Sequence, residues 1–412
     1  MEKSFWEVGH KPTLFSAFFY FDLSFMVWVM LGPLAVQIAG DLALSPAQKS
    51  LMVATPVLAG ALLRIVMGVL VDQIKPKKAR IVGQIIIVVS LTVAWLNGIH
   101  NYQQALLLGV FLGFAGSAFA VALPLASRWY PPEHQGNALG IAGAGNSGTA
   151  LAALFAPGLA LAYGWNNVFG LALIPLLIAL VVYLIFAKDA PDAPAAKSLG
   201  QYLSVLKDKD AWWFIFLYSV TFGGFVSLAS SLTIYFHDQY GLTPFHAGYF
   251  TAACVFAGSL VRQFGGNLAD RVGGIRSVTI MYILAAIFLF ILSFGMAQQW
   301  LGLTIVILAM AVLGMCNGAV FQLVPKRSRK EIGVMAGLVS MAGGIGGFYL
   351  ASSIGYSKQI TGSYQVSLTI FAGLALLAMV GLTGVKTRWG TTWGSATATA
   401  TSAKVKSGSF RS

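Results

Sequence analysis

Two arginines stand where the sequence least accommodates a charge. Arg64, in ALLRIVMGVLVD (61–72), and Arg262, in SLVRQFGGNLAD (259–270), each lie in an apolar run long enough to cross a bilayer. A charge at mid-membrane costs about 2.5–3.5 kcal/mol even on the gentlest insertion scale, so it normally faces a cavity and has a task there. A guanidinium is a planar, permanently charged fork that engages a planar oxyanion through two parallel N–H bonds. The bland alternative pairs each arginine with a buried acid. Asp22 is the sole acid deep within an apolar run, and one carboxylate cannot neutralise two cations. The pair therefore reads as an anion-binding device. Asp22 is left with two readings, a carrier of protons or a fixed counter-ion that orients Arg64. Asn146, among glycines in GIAGAGNSGTALAALFAPG (140–158), is placed to add a hydrogen bond to a bound anion.

The elements that must position these residues are apolar. Of 412 residues, 57% are hydrophobic and 9% are charged, too few to cover a soluble core of this size. Twelve runs of spanning length fall at about 13–38, 50–73, 79–98, 103–128, 136–163, 165–187, 211–236, 246–271, 276–296, 300–325, 332–357 and 364–385. They are unbroken and lack the alternation of an outer-membrane barrel, which makes the fold an all-α integral membrane protein. The first run follows a polar start and is too long for a cleaved signal peptide.

The net charge of +13 is a matter of topology and does not point to a nucleic-acid partner. Of 26 Lys and Arg, Arg64 and Arg262 are placed inside runs, and twelve spans with both ends cytoplasmic leave Lys49 and Lys358 on the outer face. The rest fall on the cytoplasmic side, the positive-inside pattern. That predicts a multi-pass protein of the cytoplasmic (inner) membrane with both termini inside and the lipid bilayer as its medium.

The chain also repeats. LALSPAQKSLMVATPVLAGALLRIVMGVLVD (42–72) aligns without a gap on YGLTPFHAGYFTAACVFAGSLVRQFGGNLAD (240–270) at an offset of 198 residues. Ser45-Pro46 meets Thr243-Pro244, Arg64 meets Arg262, Gly68 meets Gly266 and Asp72 meets Asp270. Two pseudo-symmetric six-helix bundles follow, 1–187 and 211–385, joined by a charged cytoplasmic linker, 188–210. The low-complexity segment 386–412 is expected to be a disordered cytoplasmic tail. Parallel six-helix halves describe the major facilitator architecture. Gly68-x3-Asp72 and the better copy, Gly266-x3-Asp270-Arg271, resemble the cytoplasmic loop motif of that superfamily, whose carboxylates latch helix ends together. Gln73 stands in the first copy where a basic residue is usual.

Helix five carries Gly143, Gly145 and Gly148, and helix eleven carries Gly343, Gly344, Gly346 and Gly347. Such residues let helices approach closely and slide. These two stretches resemble the signature segments of the nitrate/nitrite porter family, as do FFYFDLSFMVWVMLGPL (18–34), ALLR (61–64) and SLVRQFGG (259–266). The resemblance implies that Arg64 and Arg262 hold nitrate, or nitrite, and that Asn146 hydrogen-bonds it. It also implies that Phe119 and Phe222 sandwich the ion and that Tyr218 contributes a hydroxyl. The Asp22 context resembles the proton-coupled, assimilatory branch and implies nitrate/proton symport by a monomer; nitrate/nitrite antiport and carriage of another small anion remain open. Gln322 is a further cavity candidate.

Enzyme chemistry finds no support. GAGNSG (143–148) fits a dinucleotide fingerprint, but no strand precedes it and no acid follows at the right distance. His10, His100, His134, His237 and His246 are scattered without metal spacing, and Cys254 and Cys316 lie in apolar runs as packing residues. No metal or cofactor is implied.

Overall fold

The structure is a computed structural model that describes residues 5–131, 134, 138, 141–190, 200, 204–327 and 332–390. Among the described residues twelve helices are arranged in two halves: α1 (Lys11–Asp41), α2 (Pro46–Ile74), α3 (Pro76–Asn97), α4 (Tyr102–Ser127), α5 (Gly148–Tyr163) and α6 (Trp165–Phe186) in the first half. The second half holds α7 (Lys209–Tyr240), α8 (Pro244–Val272), α9 (Gly274–Ser293), α10 (Gln299–Arg327), α11 (Ile332–Thr361) and α12 (Gln365–Gly390). Eleven of them are long and apolar enough to cross a membrane, and α5 is the shorter exception.

Local chemistry explains the ends. Ser45 accepts from the Gln48 backbone while Gln48 returns a bond to Ser45, with Pro46 opening α2. Thr243 accepts from the His246 backbone and Pro244 opens α8, so the repeated dipeptide is a repeated helix start. Asp189 accepts from the Lys77 backbone at 3.0 Å and closes the start of α3 against the end of α6.

Three helices are interrupted where the sequence predicts unbroken spans. In α1 the regular helix stops at Trp28 and resumes at Leu31. Pro33 has no N–H for the Val29 carbonyl, which takes the Gly32 N–H at 2.9 Å instead. In α4 the break falls at Ser117, whose carbonyl takes the Ala120 N–H at 2.9 Å. In span five the described residues 141–143 are helical, a tight 3-10 turn follows at Ala144–Ser147, and α5 continues from Gly148.

The halves meet through α2 on α11, α5 on α8 and the second part of α1 on α7. The first two contacts exchange under the repeat, as a two-fold axis requires. Gly344 lets α11 lie on Ala61 of α2, and Gly346 and Gly347 let it lie on Ser219 and Val226 of α7. Helix α7 begins at Lys209, inside the expected linker, and α12 runs to Gly390, past the expected start of the tail at 386. Residues 191–199, 201–203 and 391–412 lie outside the described residues.

Gly145 and Gly148 are where helix five meets α1, since a Cβ at Gly148 would run into the Asp22 carbonyl and one at Gly145 into the Phe21 ring at 2.6 Å. Gly143 faces open space, with nothing within 4 Å of an added Cβ, so packing does not require it. Gly148→Ala is expected to destabilise the protein by about 1–3 kcal/mol, and Gly143→Ala by less than about 0.5 kcal/mol; thermal unfolding of the two purified variants checks the contrast.

Candidate functional site

Arg64 sits at the junction of the halves, 1% exposed. Its Nε donates to the Gly116 carbonyl at 3.3 Å and its Nη1 to the Ser340 carbonyl of α11 at 2.6 Å. The break in α4 makes the first bond possible. Gly116 O would normally accept from the Ala120 N–H, and that N–H is turned to Ser117 O. Three aromatic rings surround the guanidinium: Phe222 at 5.2 Å, Phe119 at 5.3 Å and Trp28 at 5.4 Å from Cζ. Such contacts are worth about 2 kcal/mol when desolvated, a useful part of the cost of burying the charge.

Arg262 approaches from α8. Its Nη2 donates to the Tyr218 hydroxyl at 3.3 Å, and the Tyr218 ring stacks on Phe222 at 5.2 Å with 4° between planes. Gly343 makes room for that pair on α11, since a Cβ there would lie 2.8 Å from Tyr218 and 2.9 Å from Phe222. Tyr218 and Arg262 are both within electrostatic reach of Arg64. The structure thus gathers Arg64, Arg262, Tyr218, Phe119 and Phe222 in one place.

The donors are not all spent. Nη2 of Arg64 and Nη1 of Arg262 are buried without a hydrogen-bond partner. Among the described residues neither arginine has a carboxylate partner. Asn146 is buried on the 3-10 turn that packs against α1 and α8, and its carboxamide oxygen is also unpartnered.

Asp22 is held differently from one of its two sequence readings. Its carboxylate accepts from the Ser147 hydroxyl at 2.7 Å, and it does not pair with Arg64. In this structure the 3-10 turn brings Ser147 to the acid, and among the described residues no cation pairs with it. Asp22 is 8% exposed.

Sequence reasoning missed several partners. Trp28 lies in the quoted FFYFDLSFMVWVMLGPL, and a buried indole N–H needs an acceptor, which it finds in the Pro56 carbonyl at 2.7 Å. Ser340 and Gly116 act through backbone oxygens, which side-chain identity does not announce. Arg80, expected on the cytoplasmic surface, is instead fully buried in α3 between Tyr20 and Tyr183. Gly68 lies near the end of α2. The surroundings of Gly266 and the side chains of Asp72, Asp270, Arg271 and Gln322 lie outside the described residues.

Residues 15–351 match the model of the Major Facilitator Superfamily. The probable nitrate/nitrite transporter NarK2 of Mycobacterium tuberculosis (strain ATCC 25618 / H37Rv) is 33% identical over 382 residues, 90% of this chain and 95% of that protein. The nitrite extrusion protein of Bacillus subtilis (strain 168) is 33% identical over 86% of this chain and 89% of that protein. The probable nitrate/nitrite antiporter NarK1 of Thermus thermophilus is 29% identical over 87% of this chain and 88% of that protein. In fold the chain is similar to a bacterial homolog of the human lysosomal transporter Spinster, with a TM-score of 0.67 at 17% identity, over 90% of this chain and 96% of that one.

An anion that takes up the unspent nitrogens must stabilise the folded protein. At a nitrate concentration 100-fold above Kd the expected gain is about 2.7 kcal/mol, read as a rise in the unfolding midpoint. Arg64→Gln should abolish the rise, and a variant that keeps it would show that the anion binds elsewhere.

Proposed function

The chain belongs to the major facilitator superfamily and, within it, to the nitrate/nitrite transporters, and from that premise we propose that it imports nitrate together with protons by alternating access. It is a multi-pass membrane transporter and not an enzyme. The observation that carries the proposal is the pair of repeat-related arginines, free of carboxylate partners among the described residues, each keeping one unspent nitrogen. Two forks of that kind suit a planar monovalent oxyanion better than a point charge would.

Nitrate enters between the halves at the level of Arg64 and Arg262, with Asn146 and the Tyr218 hydroxyl completing its hydrogen bonds. Phe119 and Phe222 close over its two faces and disfavour bulkier, more hydrated tetrahedral anions. Its charge offsets the repulsion between the arginines, so the halves close around it. The glycine faces of helices five and eleven give the contact surfaces on which the halves rock. Asp22 takes up the coupled proton. Its carboxyl is buried on α1 with a hydroxyl donor and no cation partner among the described residues, so protonation is the available route to neutrality. Both arginines come from one chain, so a monomer suffices. The positive-inside pattern sets the termini in the cytoplasm of the inner membrane.

The test is nitrate uptake by proteoliposomes under an imposed pH gradient. Wild type is expected to accumulate nitrate when the outside is acid, while Asp22→Asn keeps only nitrate exchange. Uptake that ignores the pH gradient and requires internal nitrite would overturn symport in favour of antiport, the activity printed in the name of the Thermus relative. Arg64→Lys should slow uptake about 10- to 100-fold, the equivalent of roughly 1.5–3 kcal/mol for a lost bond to a charged group; near-normal uptake by that variant would sink the two-fork mechanism.

A further inference from the structure

The charge distribution leaves two cations, Lys49 and Lys358, on the face it makes external, and the structure brings both to one spot. Lys49 Nζ, at the start of α2, lies 3.2 Å from Oδ2 and 3.5 Å from Oδ1 of Asp238, near the end of α7 in the other half. The Tyr364 hydroxyl, just before α12, donates to the same Oδ2 at 2.6 Å, and Lys358 Nζ stands 5.1 Å over the Tyr364 ring. Beside them the Ala47 N–H donates to Gln359 Oε1 at 3.1 Å, and Ser50 packs directly on Gly355. Every one of the Lys49, Ala47 and Ser50 contacts joins one half to the other. All three must part for the halves to separate on this face.

We propose that Lys49 serves two anionic partners in turn: Asp238 while the external mouth is closed, and the incoming small planar oxyanion once it opens. The inference rests on the anion reading above and adds an outer site to it. Lys49 and Arg64 are fifteen residues apart on one helix, about 22 Å at 1.5 Å per residue. A lysine that far along the helix cannot touch an anion held by Arg64, so Lys49 is not part of the inner site. Opening strips Lys49 of Asp238 and leaves a cation at the mouth of a path for anions. An anion there competes with the carboxylate, so its arrival favours the open mouth and raises its own local concentration. Tyr364 is the positioning residue that keeps Asp238 aimed at Lys49.

The experiment separates the latch from the capture. Ser50→Cys places a thiol beneath the ion pair, at a position 1% exposed. Its rate of reaction with a charged methanethiosulfonate in purified, anion-free protein reports opening without any reference to substrate. Asp238→Asn and Lys49→Gln are each expected to speed labelling about 3- to 10-fold, and the exchanged pair Lys49→Asp/Asp238→Lys to slow it again. In proteoliposomes the two single variants then diverge. Lys49→Gln should raise the apparent KM for external nitrate about 3- to 10-fold, more at low salt, whereas Asp238→Asn, which frees the lysine, should leave it unchanged or lower it. Labelling unaltered in both single variants would overturn the latch, and an equal shift of KM in both would overturn the capture. If wild type carries formate or another small carboxylate instead of nitrate, the preceding functional reading fails alone, and the same KM contrast is then measured with that anion.

Discussion

A guanidinium charge placed where water is scarce has to be solvated by the protein itself, and the middle of this molecule is arranged around that need. Arg64 draws one carbonyl from α4, one from α11 and three aromatic faces from α1, α4 and α7. Each supply has a structural consequence. The α4 carbonyl is free because the helix breaks at Ser117. The Phe222 ring is in place because Gly343 allows the Tyr218–Phe222 stack to lie on α11. The Trp28 ring is fixed by its own bond to the Pro56 carbonyl, and Gly60 and Gly116 are bare where that ring lies. Irregular backbone at membrane depth is tolerated only where it is buried in protein or lines a cavity, and α1, α4 and helix five all break toward the interior.

Arg80 shows what the same constraint looks like without the repeat. It is as deeply buried as Arg64, with Tyr20 and Tyr183 on it and its three side-chain nitrogens unpartnered. At the offset of 198 residues that takes Arg64 to Arg262, Arg80 meets Val278, a buried aliphatic residue of α9. A cation that binds a shared substrate between two repeats has reason to occur twice, while one that braces a single bundle does not. The repeat, and not burial, is what sets Arg64 and Arg262 apart.

Much of this was legible in the sequence, because the bilayer limits the choices. Apolar length alone located the membrane helices, and the ungapped match of 42–72 with 240–270 located the two halves and the paired arginines. What was not legible had definite physical causes. The break at Val29 depends on which carbonyl Pro33 leaves without a donor, a backbone matter hidden inside an apolar run. The partner of Asp22 depends on a 3-10 turn that aims Ser147 at it, and neighbouring glycines make that turn possible without requiring it. Arg80 was misplaced because counting residues from a span boundary fixes depth along the helix but not the face that is presented. Trp28 passed as one more apolar residue, since nothing in its spacing sets it apart from lipid-facing tryptophans.

The two arginines, alike in sequence, are unlike in what they hold. Arg262 bonds to Tyr218, a residue of its own half, so that contact survives when the halves move apart. Arg64 bonds to Ser340 in the opposite half, so that contact must break. Losing a hydrogen bond to a charged group costs about 1.5–3 kcal/mol unless another acceptor replaces it. A planar oxyanion held between the same two walls, as proposed, would be such an acceptor. If the proposed site holds the anion, the Ser340 carbonyl occupies a donor of Arg64 that the anion would otherwise claim, and exchange of carbonyl for anion would couple binding to movement of the halves. On that proposal the two repeats would do different work, the second half holding its arginine in place and the first half answering to whether the site is filled.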